Sequence, residues 1–145
     1  MLAVVVLSLL STITYGQFSI KEIISLSEGD TEKFEINTMS AGYIFYELLD
    51  EDCCEGIRMT KGNGAQTRYI TYYSKFFDDL SHINYQTGVV SEMSKIYKEL
   101  GDLGFELTNR EESEGNYVKD YSRDKEYVSI YIKNDWIVLG YYKSN

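Results

Sequence analysis

Residues 126–143 read Glu-Tyr-Val-Ser-Ile-Tyr-Ile-Lys-Asn-Asp-Trp-Ile-Val-Leu-Gly-Tyr-Tyr-Lys, and no other stretch constrains the architecture as tightly. Apolar residues alternate on both sides of Asn134-Asp135, a pair that accepts positive φ and closes a short turn whose twist suits two antiparallel strands. That turn places Lys133 opposite Trp136 and Ile132 opposite Ile137. One face then collects Val128, Ile130, Ile132, Ile137, Leu139 and Tyr141; the other collects Tyr127, Tyr131, Lys133, Trp136, Val138 and Tyr142. The first set is core, because fully burying each aliphatic side chain contributes roughly 1.5–3 kcal/mol. Helices must therefore cover it.

Upstream of this hairpin, Met93, Ile96, Leu100 and Leu103 recur at helical spacing and run into Gly104-Phe105-Glu106-Leu107. A glycine just past an apolar helix face, followed by an aromatic that opens an extended run, reads as a helix C-cap turning directly into a strand. The same events occur earlier, where Phe34, Ile36 and Met39 run into Gly42-Tyr43-Ile44-Phe45. The two glycines are 62 positions apart (104 − 42). Extended runs follow Gly42 at about 43–48, 56–61, 67–73 and 82–86, and follow Gly104 at about 105–110, 116–121, 126–133 and 136–143. The expected fold class is α+β: a tandem duplication of an α-β-β-β-β unit, its antiparallel sheet covered by helices on one face.

Two local signals refine the first half. Asn63-Gly64 predicts a type I′ hairpin pairing Thr60 with Thr67 and Ile57 with Ile70. Ser19-Ile20-Lys21-Glu22 is a capping box, and Ile20, Ile23 and Ile24 supply an apolar helix face. Gly29 ends that helix, and Asp30 or Thr31 caps the next.

The first sixteen residues read as a cleaved secretory signal: a nearly continuous apolar run from Leu2 to Leu10, then Thr14-Tyr15-Gly16-Gln17 with small residues near the cleavage point. No Lys or Arg precedes the run. It is shorter than the roughly twenty residues a spanning helix needs, and no later segment predicts an integral membrane span. The ending Tyr-Gly-Gln after a Leu- and Ser-rich run resembles signal peptides of small secreted proteins in Bacteroidota. Residues 17–145 are then a single domain of two pseudo-repeats, about 17–87 and 88–145, secreted or periplasmic. A domain of this size can stand without a metal or disulfide framework.

Fourteen Lys and Arg against 23 Asp and Glu leave a net charge of −9. An acidic surface without a basic cluster repels phosphate backbones, so no nucleic-acid partner is expected. Arg58, Lys61 and Arg68 sit among acidic neighbours and read as a solvated hairpin.

Few residues invite chemistry. Adjacent Cys53-Cys54 could form a vicinal disulfide, bond between molecules, or stay reduced in a turn. Asp50, Glu51, Asp52 and Glu55 read as a solvated acidic loop, their spacing unlike a calcium loop. Neither a metal nor a cofactor is predicted. His82 is the sole histidine, and Glu111-Glu112 with Glu114 reads as a loop forming a charged edge.

Taken together, the junctions Gly42-Tyr43 and Gly104-Phe105 and the paired hairpins resemble the beta-lactamase-inhibitor-protein-like and PepSY-like small exported proteins. That resemblance implies helices packed on four-stranded antiparallel units and an aromatic, polar sheet surface that grips another protein. The expected function is an exported, non-catalytic binding protein whose partner is a protein or envelope component. Tyr127, Tyr131, Trp136 and Tyr142 are the candidate binding residues, since Tyr and Trp dominate contact energies between proteins. Two alternatives stay open: a small extracytoplasmic hydrolase, and a structural subunit that assembles through sheet edges.

Overall fold

The computed structural model describes residues 18–52, 54–75 and 82–144. The leader predicted at 1–16 and Cys53 lie outside them. Three helices and eight strands follow in the order α1 (Ile20–Ser27), α2 (Thr31–Ser40), β1 (Ile44–Glu51), β2 (Cys54–Lys61), β3 (Arg68–Lys75), β4 (His82–Thr87), α3 (Met93–Asp102), β5 (Glu106–Ser113), β6 (Asn116–Arg123), β7 (Glu126–Lys133) and β8 (Trp136–Lys143). The fold is α+β with one antiparallel sheet, in the order β1-β2-β3-β4-β8-β7-β6-β5. The last strand of each run of four meets the other at the centre. Among the described residues, no helix is long and apolar enough to cross a membrane.

The β7–β8 hairpin has the predicted register, with Lys133 against Trp136 and Ile132 against Ile137, and both Asn134 and Asp135 take positive φ. Val128, Ile130, Ile137, Leu139 and Tyr141 are buried. They continue across the seam through Tyr141 opposite Ile83 and Leu139 opposite Tyr85. Over this surface α1 lies on β4 and β8, and α2 on β2 and β3. The Ser19–Glu22 capping box starts α1, and Asp30 caps α2.

The helix-to-strand junctions match in detail. Gly42 and Gly104 take φ of 85° and 79°. Gly42 N donates to Met39 O and Tyr43 N to Thr38 O; Gly104 N donates to Gly101 O and Phe105 N to Leu100 O. A bulge interrupts β1 between Phe45 and Glu47, and another interrupts β5 between Leu107 and Asn109. Each of these positions has its counterpart 62 residues on.

Four expectations need correction. Thr60 pairs with Tyr69 and Ile57 with Tyr72, so the β2–β3 register lies two residues beyond the prediction. Asn63 has φ of −151° and cannot take the first place of a type I′ turn; Gly62 and Gly64 carry the positive φ, and a 3-10 turn at Gly64–Gln66 lengthens the loop. A shift of two preserves the faces. In α2 only Phe34 and Thr38 are buried, while Ile36 and Met39 are exposed, because a helix on the flank of the sheet needs one narrow contact stripe. Glu111 and Glu112 belong to β5 rather than a loop. Arg68 is not solvated: its side chain is 11% exposed against Glu92 at 8%.

Candidate functional site

With all three helices on one side, the strand residues between core positions form an open face on the other. Strand pairing sets its pattern. A polar row crosses every strand: Glu47, Arg58, Thr71 and Asn84 align on one side of the seam. Gly140, Ser129, Asp120 and Asn109 continue it on the other. Around Arg58 and Asp120 these groups satisfy one another. Arg58 donates to Glu47 Oε1 and, at 3.0 Å, to Thr71 Oγ1; Ser129 donates to Asp120 Oδ1 at 2.6 Å and Asn109 to Asp120 Oδ2 at 3.1 Å. Gly140 leaves room for Asn84, whose Oδ1 lies 3.0 Å from where a Cβ would stand.

Aromatic rings flank this row on both sides. On one side Tyr73 stacks on His82 at 4.3 Å, and Tyr127 on Tyr142 at 4.8 Å, with His82 and Tyr142 register partners across the seam. On the other, Tyr46 meets Tyr69 at 5.2 Å and Tyr69 meets Trp136 at 6.1 Å. Trp136, Tyr131, Gln86, Lys133, Asn134 and Val138 line a concavity of about 280 Å³.

The four predicted tyrosine and tryptophan positions therefore share one face but fall into two groups. Tyr127 and Tyr142 form a stacked pair, Tyr131 and Trp136 line the concavity, and the polar row runs between. Trp136 is 37% and Tyr142 38% exposed. Tyr69, Tyr73 and Tyr46 belong to the same surface and were not singled out from sequence. Their membership depends on which strands are neighbours, although the alternation within β3 carries the signal.

Cys54 begins β2 and is disulfide-bonded. The predicted acidic loop is mostly strand: Asp50 lies in β1 opposite Glu55 in β2, and Asp52 is in the turn, all three exposed. Among the described residues, no three His, Cys, Asp or Glu are grouped to hold a metal ion.

His82 is 6% exposed, and burial pushes it down to about 4, so its imidazole is neutral at ordinary pH. It does not meet the acidic pair Glu111 and Glu112, as the hydrolase alternative would require. Glu111 and Glu112 lie on β5, with β8, β7 and β6 between them and the strand of His82. General acid–base chemistry requires such groups within hydrogen-bond reach of a common atom.

Two buried polar knots lie on the helix-covered side, and the sequence reading missed both. Arg68 Nε and Nη2 donate to Glu92 Oε1 at 2.9 and 2.6 Å, and Tyr85 donates to Glu92 Oε2 at 2.9 Å. Arg123 donates to Glu126 Oε2, and Tyr141 donates to Glu126 Oε1 at 2.8 Å. Their donors are all used internally, so they fasten the sheet rather than present a site.

The open sheet face is the candidate surface. Comparison with protein-family models, with curated proteins and with solved structures found no match for the chain.

Proposed function

We propose that the chain is an exported, non-catalytic binding protein that docks a protein or envelope component on its open sheet face. The observation that carries this reading is the double band of aromatic rings flanking a largely self-satisfied polar row, on the side of the sheet that no helix of the described residues covers. Rings with polar tips supply large contact area at small entropic cost, and a pre-bonded polar row needs no rearrangement on docking. Export rests on the leader-like residues 1–16. The partner mode follows the resemblance to beta-lactamase-inhibitor-protein-like and PepSY-like proteins.

We also propose that the two halves arose by tandem duplication. Supporting this, Lys61 donates to the Ala41 carbonyl and lies over the Tyr43 ring, while Arg123 donates to the Leu103 carbonyl and lies over Phe105. Each residue of the first set lies 62 positions before its counterpart.

The test replaces Tyr127, Tyr131, Trp136 and Tyr142 together by Ser and compares capture from a native envelope extract. Loss of partners with unchanged circular dichroism is expected. Retention of the same partners by the folded variant would overturn the assignment.

A further inference from the structure

The sheet ends in two edges of opposite character. β5 at one end is Glu-Leu-Thr-Asn-Arg-Glu-Glu-Ser, exposed along its whole length and charged at Glu106, Arg110, Glu111 and Glu112. Charged side chains on an edge discourage further strand pairing. β1 at the other end is Ile-Phe-Tyr-Glu-Leu-Leu-Asp-Glu, and there Ile44, Phe45, Tyr46 and Leu48 are 66%, 54%, 51% and 72% exposed. Among the described residues, no other strand leaves so many large apolar side chains exposed. A hollow of about 460 Å³ adjoins the same strand, lined in part by Leu48, Leu49, Asp50 and Gly56.

We infer that β1 is a homodimer interface, pairing antiparallel with β1 of a second copy across a two-fold axis to extend the sheet. Three observations select a second copy. First, a two-fold axis perpendicular to the sheet must pass through a residue, because paired side chains share a face. Beyond the bulge, an axis through Glu47 opposes that carboxylate to itself, and one through Leu49 opposes Glu47 to Glu51. An axis through Leu48 opposes Leu48 to itself and Glu47 to Leu49, with no carboxylate facing another. Glu47 is also already neutralised by Arg58.

Second, covering this edge on two copies removes on the order of 1,000 Å² of side chain and backbone from water, about the least that a specific interface requires. Third, the charged β5 edges remain outermost, so self-pairing closes at two copies instead of propagating as a filament. The two open faces then lie on the same side of one continuous sheet.

Analytical ultracentrifugation of the protein expressed from its full coding sequence tests this. A monomer–dimer equilibrium at micromolar concentration is expected. Leu48→Glu, which sets two carboxylates against each other at the axis, should weaken it at least 30-fold with an unchanged circular dichroism spectrum. Leu107→Glu, which adds the same charge to the β5 edge, should leave it unchanged. Should Leu48→Glu fail to fold, Phe45→Glu, which sets a carboxylate against the acidic Asp50 end of the partner strand, provides the second disruption of the edge. A monomer at every concentration overturns the inference, as does a dimer that survives a folded β1 variant or is broken by Leu107→Glu.

Discussion

The two halves of the sheet use the same scaffold and finish it differently. Both junctions end a helix on a positive-φ glycine, fold a basic side chain over the cap, and bulge the outer strand at the corresponding position. The second half then connects its strands by two-residue turns at Glu114-Gly115, Asp124-Lys125 and Asn134-Asp135, whereas the first uses a six-residue link from Gly62 to Thr67 between β2 and β3. Both also bury a Tyr–Glu–Arg knot, but from different chain positions. In the first half the carboxylate arrives from Glu92, just before α3, to meet Arg68 at the start of β3; in the second the carboxylate itself starts β7 as Glu126. Backbone geometry is therefore shared, while the polar fastening was solved twice.

The largest effect expected from this contrast is in the knots. Glu92→Ala strands Arg68 in a nearly closed site, so it should cost about 3–5 kcal/mol. Glu126→Ala leaves Arg123, at 29% side-chain exposure, within reach of water and should cost about 1–3 kcal/mol. Urea unfolding of the two variants measures the difference. Equal losses would show that depth of burial does not separate the halves.

Acid should act unequally as well. Burial lowers His82 from 6.5 to about 4, so on acidification the unfolded chain takes up the proton first. The stability this group contributes is complete above pH 6.5 and is lost as pH falls to about 4, a change of up to about 3 kcal/mol. For Glu126 burial pushes the carboxyl up, but hydrogen bonds from Arg123 and Tyr141 outweigh it and hold the group below its ordinary 4.5. Its contribution is therefore present above that value and is lost only as pH falls further. Urea midpoints at pH 7 and pH 4.5 should converge in His82→Phe and stay apart in Glu126→Gln. If His82→Phe keeps the full pH dependence, the histidine is not its source.

The smallest expected effect tests the likeness rather than the difference. Gly42→Ala and Gly104→Ala each force a Cβ into positive φ where only the ends of Lys61 and Arg123 are near, at 3.4 and 4.0 Å. Both should cost about 1–2 kcal/mol, equal to within a few tenths, on thermal or urea unfolding. Clearly unequal losses would break the correspondence of the junctions.

These junctions also show how far the chain could be read without coordinates. Gly104 after Met93, Ile96 and Leu100 carried its meaning within a dozen residues, and so did the Ser19–Glu22 box. Lys61 and Arg123 did not, because a basic residue caps a helix twenty positions earlier only after a strand has folded back over it. The recurrence at 61 and 123 was nonetheless available as a signal. On the candidate surface, the alternation in β7 and β8 placed Tyr127, Tyr131, Trp136 and Tyr142 on one face. Their division by the polar row was invisible, because that row assembles one residue from each of eight strands.

What the sequence alone determined was local: the Asn134-Asp135 turn with its register, the helix caps, and the inward face of the last hairpin. Each follows from steric limits and hydrogen bonds among residues a few positions apart. Only the tertiary structure decided that β4 meets β8, that Tyr43, Tyr72 and Tyr85 go inside, and that an apolar strand forms one edge and a charged strand the other. Those outcomes depend on which distant apolar faces can be buried together, and residue spacing along the chain does not encode that.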